Sequence, residues 1–419
     1  MTPGTAAQEI KIYSYRWVVL LAFMFVSLTM QIFWICYAPI TGVAARHYGV
    51  SDVSIALLGI LFMIVYIFTA YPASWAIDNW GFKKAVSLGA ILMAAFGLGR
   101  GIFTQSYSAA LIFTIGIAAA QPLFLNAGTK LVANWFPLRE RASVIGIGAV
   151  ASLVGIVIGQ VATPMLVDSS DIGTAMLIYG VIGAVSALVF LIFARDHPPT
   201  PAGFEQRVLM TEGLKRIFGL RDFYLLAFIT FVINAIFNGI LILIELIVRP
   251  KGLDTTQAGL IGGLMMIGGI VGVIVLPPFS DRMRRRKPML MISLVLSIPF
   301  LILLAPLEDF TLLAVDAFLL GLFVMGSIPI SLQYCTEICY PAPEGTSAGA
   351  YTMAGQIAGL VITLSAASIQ AVGSFTPSLI VLVAATVASA ALLALMKESP
   401  LIQPVPGAPE TVLEAKEVA

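Results

Sequence analysis

Charge is scarce in this chain. Only 11% of its 419 residues are Asp, Glu, Lys or Arg, against 59% apolar, whereas water-soluble domains carry about 25% charged residues. So small a stock cannot furnish an aqueous surface for a chain of this length, and a soluble globular protein is excluded. Histidine is rarer still, His47 and His197 alone, and cysteine is limited to Cys36, Cys335 and Cys339. That excludes a disulfide framework. Cys335 and Cys339 stand one helical turn apart, but no histidine stands beside them, so they read as packing residues and no metal is expected. His-Glu-x-x-His, Gly-x-Ser-x-Gly and close acid pairs are all missing from the apolar segments, which argues against an enzyme. The glycine-rich stretch of Gly262, Gly263, Gly268, Gly269 and Gly272 is not followed by Lys-Ser/Thr. It reads as helix packing rather than a phosphate cradle, and no cofactor is expected.

What the chain has in quantity is long apolar runs. Twelve occur, at about 17–45, 54–77, 85–104, 107–134, 142–167, 172–194, 222–248, 256–280, 288–306, 310–339, 346–373 and 376–396. Runs of about 20 residues cross a hydrocarbon core of about 30 Å. The first lacks a small-residue cleavage site and is followed by others, so it is expected to be retained. With the N-terminus assigned to the cytoplasm, only Arg46, Arg100, Arg249 and Lys251 fall outside, and the other 19 of the 23 Lys and Arg fall inside. This bias predicts both termini in the cytoplasm and an even number of spans, in a multi-pass protein of the cell membrane. The basic loops orient the chain and do not imply nucleic acid. The partners expected are the lipid bilayer and a small-molecule substrate, with the chain a monomer.

An internal period runs through the chain. Asp78, in Ala73-Ser-Trp-Ala-Ile-Asp78-Asn-Trp-Gly81-Phe-Lys83-Lys84, is answered 203 residues later by Asp281, in Pro277-Pro-Phe-Ser-Asp281-Arg282-Met-Arg284-Arg285-Arg286-Lys287. Pro137 and Glu140 are answered by Pro341 and Glu344, and Ile32-Phe33-Trp34 by Ile236-Phe237-Asn238, both at an offset of 204. A period near half the length of so apolar a chain is the mark of a transporter built from two repeats. The expected organisation is a cytoplasmic N-terminus (1–16), a six-helix half (17–195), a cytoplasmic linker (196–221), a second six-helix half (222–396) and a disordered cytoplasmic tail (397–419). The later part of the linker, around 207–218, has the pattern of a short interfacial amphipathic helix.

The pattern Asp78-x-x-Gly81-x-Lys83-Lys84, echoed at Asp281, resembles the loop signature of the major facilitator superfamily. More particular stretches resemble the feline leukaemia virus subgroup C receptor (FLVCR) family. They are Tyr15-Arg16-Trp17-Val18-Val19-Leu20, Phe33-Trp34-Ile35-Cys36-Tyr37, Tyr71-Pro72-Ala73-Ser74-Trp75 and Glu337-Ile338-Cys339-Tyr340-Pro341-Ala342-Pro343-Glu344-Gly345-Thr346-Ser347, with Gln356-Ile357. The likeness runs from residue 13 to about 396. It implies an all-α membrane protein of twelve transmembrane helices in two pseudo-symmetric six-helix bundles, and carriage of choline, ethanolamine, heme or a related organic molecule. In the choline-carrying members a tryptophan of helix 1 and a tyrosine of helix 7 pack against the quaternary ammonium, helped by glutamines of helices 5 and 11. Trp34 and Gln356 match two of these, whereas Asn238 stands at the tyrosine and Leu153 at the helix 5 glutamine. Half of the aromatic cage is missing.

The residues themselves point to the same depth. Gln31 and Trp34 of the first run, Gln121 and Asn126 of the fourth, Asn234 and Asn238 of the seventh and Gln356 of the eleventh lie near mid-span. Polar groups there either face a cavity or join helices by hydrogen bonds. Trp34 and Asn238, at repeat-equivalent positions, are read as cavity residues; Gln31, Gln121, Asn126 and Asn234 fit either role. Gating or coupling is assigned to Asp78, Lys83, Arg141, Asp281, Arg285, Glu337 and Glu344 at the cytoplasmic side, and to Glu245 in the outer third of its run. Asp78 is expected to accept from Arg139, Arg141 or the start of the eleventh helix, and Glu337 or Glu344 to meet the 282–287 cluster.

The expected function is alternating-access transport of a small organic solute, cationic or neutral and choline-like. The alternatives are a proton-coupled carrier of an organic anion, heme or a vitamin, and a transporter-fold receptor that moves nothing.

Overall fold

Apolar run length translates directly into helices. The computed structural model describes residues 13–199, 217–283, 285–340, 342 and 344–399. Most of the linker (200–216) and the tail from residue 400 lie outside the described residues, and with them the expected amphipathic helix and disordered segment. Twelve helical spans follow in order: α1 (Arg16–Tyr48), α2 (Asp52–Trp80), α3 (Phe82–Ile102), α4 (Tyr107–Trp135), α5 (Leu138–Ser169), α6 (Ile172–Phe193), α7 (Arg221–Ile242), α8 (Thr255–Met283), α9 (Lys287–Leu303), α10 (Phe310–Cys339), α11 (Ser347–Val372, with its first turn from Glu344) and α12 (Thr376–Leu395). Eleven are long and apolar enough to cross a membrane, and α9, with 17 residues, is at the lower limit. The chain is a multi-pass membrane protein of two pseudo-symmetric six-helix bundles, α1–α6 and α7–α12. Alternation along the chain gathers the loops at 81, 136–137 and 285–286 at one end, called the basic end. The loops at 49–51, 103–106, 249–254 and 304–309 gather at the other, the far end.

Several spans are broken. Span α1 is α-helical from Arg16 to Ile35, turns through a 3-10 segment at Ala38–Ile40 and resumes at Thr41. Pro39 explains this, since it brings no amide hydrogen to the ladder. The equivalent place in the second half, 204 residues on, is Leu243, where α7 stops and a short helix Ile244–Val248 continues it. Span α4 breaks between Leu125 and Gly128, and α11 between Gln356 and Gly359.

Glycine sets the closest approaches. A β-carbon on Gly268 or Gly272 of α8 would run into the carbonyl of Phe318 or Leu322 of α10, and one on Gly321 into that of Met265. Backbones this close gain dispersion contact that larger side chains would prevent. The same stretch of α8 turns Gly259, Gly262 and Gly263 toward Gln160 and Val161 of α5, so it seats α8 against both halves at once.

The repeat extends to contacts of side chains with the backbone. His47, at the end of α1, hydrogen-bonds the Thr104 carbonyl beyond the end of α3 at 2.9 Å. Lys251, 204 residues later, donates to the carbonyls of Leu304, Ala305 and Leu307 beyond the end of α9. Burial pushes the Lys251 ammonium below the usual lysine range. At the basic end Asp196 accepts from the amide of Lys83 at 3.0 Å, and Glu398 accepts from the amides of Arg286 and Lys287 at 2.9 and 3.2 Å. Each acid follows the last helix of its half and caps the N-terminus of the third. Gly81, at φ +88°, provides the turn, and a side chain there would strike the Asp196 carboxylate.

Candidate transport site and gate

Trp34 lies one turn before the break of α1. Where the helix stops, the carbonyl of Phe33 accepts from Nη1 of Arg100 at 3.4 Å and from Sγ of Cys36 at 3.5 Å. Arg100, fully buried, also donates to Cys36 Sγ and Thr114 Oγ1, and its guanidinium lies 5.0 and 5.2 Å from the rings of Phe33 and Tyr37. A buried cation held by ring faces and neutral acceptors in this way fixes the conformation of the break. No motif around Arg100 in the sequence marks it for this role. The indole Nε1 of Trp34 donates to the Gly59 carbonyl of α2 at 3.2 Å, so the ring is anchored and its N–H is used.

Asn234 and Asn238 lie one turn apart on α7. Asn238 Nδ2 donates to the Asn234 carbonyl at 3.0 Å, and Asn234 Nδ2 to that of Thr230 at 2.9 Å. The Oδ1 atom of Asn238 has no hydrogen-bond partner among the described residues. Gly355 makes room for the Asn234 amide, since a β-carbon there would sit 2.8 Å from Nδ2. Gln356 follows at the break of α11, and beyond it Gly359 packs on Met63 and Ile60 of α2. Gly59, which holds Trp34, also packs on Ile242, one turn past Asn238. Spans α1, α2, α7 and α11 thus pack together through Gly59, Gly355 and Gly359.

The remaining mid-span amides divide. Gln121 is buried in α4 and, like Gln356, has no hydrogen bond to a described residue. Asn126 joins α4 to α2, accepting from Tyr66 Oη at 3.0 Å and donating to Ser74 Oγ at 3.1 Å. Gln31 lies at the α1–α5 seam against Gly155, with its Oε1 buried and unpartnered. Gln160 of α5, outside the amides expected from sequence, joins the halves. It is fully buried and its Nε2 donates across the halves to the carbonyl of Leu241, at the α7 break, at 3.0 Å. Its signal was present: a lone amide in an apolar run, two turns beyond Leu153.

The far end is where polar groups join the halves. The buried carboxylate of Glu245 accepts from the amide of Gly42 at 3.2 Å and pairs with Arg249 at 3.6 Å. Arg249 reaches on to Asp52 of α2, and Thr256 of α8 donates to Asp168 of α5 at 2.9 Å. At the basic end the charged contacts among the described residues run within one half, and that of Asp78 differs from the pairing expected from sequence. Asp78 pairs with Lys130 at 3.3 Å and, among the described residues, not with Arg141. The break in α4 turns its final helix, Gly128–Trp135, so that Lys130 faces Asp78. Arg141 instead donates to the carbonyls of Phe136 and Ala133 at 3.1 and 3.0 Å, closing the turn into α5. Asp281 and Glu337 both pair with Arg286. Arg285 is exposed and its backbone, not its guanidinium, closes the turn with Ser280, while Lys83 contributes its amide to Asp196. The side chain of Glu344 is not among those described.

The model of the family described as Major Facilitator Superfamily matches residues 19–363. An uncharacterized MFS-type transporter of Caenorhabditis elegans is 28% identical over 396 residues, covering 89% of this chain and 67% of its own length. The choline/ethanolamine transporter FLVCR1 of Felis catus is 26% identical over 392 residues, covering 87% of this chain and 69% of its own. Among solved structures, a bacterial homolog of the human lysosomal transporter Spinster, inward-facing and unoccupied, superposes with a TM-score of 0.75 at 17% identity, over 92% of this chain and 97% of that one. Twelve spans in two repeated halves and a family match over most of the membrane core lead to one conclusion: the chain belongs to the major facilitator superfamily and is a transporter resembling the FLVCR carriers.

Proposed function

We propose that this secondary transporter carries a small organic solute with an apolar or cationic part and a polar, hydrogen-donating group, held between Trp34, Asn238 and Gln356, with Gln121 facing the same cavity. What supports this reading is an indole anchored in one half and, at the repeat-equivalent position of the other, an Asn238 Oδ1 with no hydrogen-bond partner among the described residues. The ring face attracts an organic cation by about 0.5–2 kcal/mol, and the amide oxygen accepts one hydrogen bond. Asn126 is given a helix-joining role instead.

The distribution of Lys and Arg supports a cytoplasmic basic end, with both termini there and the far end outside. On that reading this arrangement is closed outward by Glu245, Arg249, Asp52 and Gln160, and open inward. Asp78, Asp281 and Glu337 then belong to the inner gate, finding partners across the halves when that gate closes. The plasma membrane is the proposed location.

The test is uptake into proteoliposomes, preceded by a thermal-shift screen against choline, ethanolamine, vitamins, organic acids and porphyrins, since a ligand of the folded state raises its stability by mass action. A solute that stabilises the protein and is accumulated or exchanged by the vesicles supports the carrier. Binding without any uptake identifies a receptor.

A further inference from the structure

On the outer surface of the bundle, α1 and α6 leave a groove of about 320 Å³ lined by Val18, Leu21, Ala22, Phe25, Val189 and Phe193. Its mouth lies at the basic end, where Tyr15 bridges the two helices by donating to the Phe193 carbonyl at 2.9 Å. The guanidinium of Arg195 lies 5.1 Å from the Tyr15 ring, and the Arg195 carbonyl is held by the indole of Trp135 at 3.2 Å. Arg195 is exposed and has no carboxylate partner among the described residues. By contrast Arg16, on the same turn of α1, is paired with Glu140 at 2.9 Å.

An apolar slot leading to a fixed and uncompensated cation matches the two ends of one molecule. We infer that the α1–α6 groove is a site for an anionic phospholipid, with an acyl chain lying along Val18, Leu21, Phe25 and Val189 and the headgroup phosphate on Arg195. An acyl chain alone would fill the groove from any lipid; Arg195 supplies the preference. Guanidinium matches phosphate by paired, charge-assisted hydrogen bonds, and its seat on Tyr15 limits the side-chain freedom lost on binding. A cation near a membrane surface favours a net negative headgroup by about five-fold over a zwitterionic one. The site lies outside the transport cavity, so it does not depend on the identity of the solute.

The test uses the full chain purified in detergent, titrated with dioleoyl-phosphatidylglycerol or dioleoyl-phosphatidylcholine, with bound lipid counted by native mass spectrometry and stability followed by thermal shift. Wild type should bind the phosphatidylglycerol about five-fold more tightly. Arg195→Gln should bind both lipids alike, and Arg195→Lys should keep part of the preference. Leu21→Trp, which fills the slot, should weaken both. Equal affinity for the two lipids in wild type would reduce the groove to ordinary lipid contact and overturn the site. So would a headgroup preference that survives in folded Arg195→Gln.

Discussion

Arg249, at the end of the broken seventh span, reaches across to Asp52 on the other half while Glu245 lies buried behind it. One guanidinium therefore answers two carboxylates, one from each half, and the far end holds its charge balance only while the halves are together. Asp52→Asn should loosen this closure. Both side chains are over 30% exposed, so solvent screening holds the effect to about 1 kcal/mol, or a five-fold shift in the population open at the far end. Labelling rates of a cysteine introduced at Ser51 would report it. The exchange Asp52→Arg with Arg249→Asp should recover part of the closure, and a rate unchanged in Asp52→Asn would remove the pair from the gate.

Trp34→Ala should lower solute affinity at least about ten-fold, because it removes the ring face and frees the Gly59 carbonyl. Asn238→Tyr should move selectivity toward choline by adding a second ring opposite the first. Affinity is best read by isothermal titration on protein shown to be folded. Choline affinity that is unchanged or lower in Asn238→Tyr would dismantle the proposed site.

Asp78 is exposed, and its bond to Lys130 stays within one half. Asp78→Asn should therefore leave thermal stability within about 1 kcal/mol of wild type. If Asp78 serves inner closure, the variant should favour the state open at the basic end and slow transport. Unchanged transport together with unchanged accessibility at the basic end would return Asp78 to a role in topology alone.

Gly268→Val should be severe. Its side chain would meet the Phe318 backbone rather than a movable side chain, and the strain of forcing α8 from α10 is about 1–3 kcal/mol or more. Gly146→Ala is the control, as nothing lies within 4 Å of the added carbon. It should fold as well as wild type or better. Size-exclusion profiles and melting temperatures separate the two outcomes.

Much of this arrangement was legible in the chain because hydrocarbon thickness leaves few choices. The run at 107–134 becomes Tyr107–Trp135, and that at 310–339 becomes Phe310–Cys339. The break in α1 was announced by Pro39 and still read through as one run. The break at Leu243 has neither proline nor glycine, so nothing local marks it. Pairings were harder. Arg286 is one of five near-identical residues, and which of them meets Glu337 depends on how the chain turns into α9. Asp196 and Glu398 carry no motif of their own; only the fold brings them to the amides beyond Gly81 and Arg285. Amides such as Asn126 and Gln121 look alike in sequence, and their neighbours alone show that Asn126 joins two helices.

The bond from Gln160 to the Leu241 carbonyl carries a further consequence for how the far end can open. The carbonyl at the break of α1 is satisfied inside its own half by Arg100, but that of Leu241 is satisfied by the opposite half. Parting the halves there strands an acceptor at a depth where a dry carbonyl costs about 1–3 kcal/mol. Hydration must therefore advance with the separation, and water becomes a stoichiometric participant in the outward step. Osmolytes excluded from the cavity should then slow that step, leaving the inward arrangement as the resting state of a dehydrated bundle.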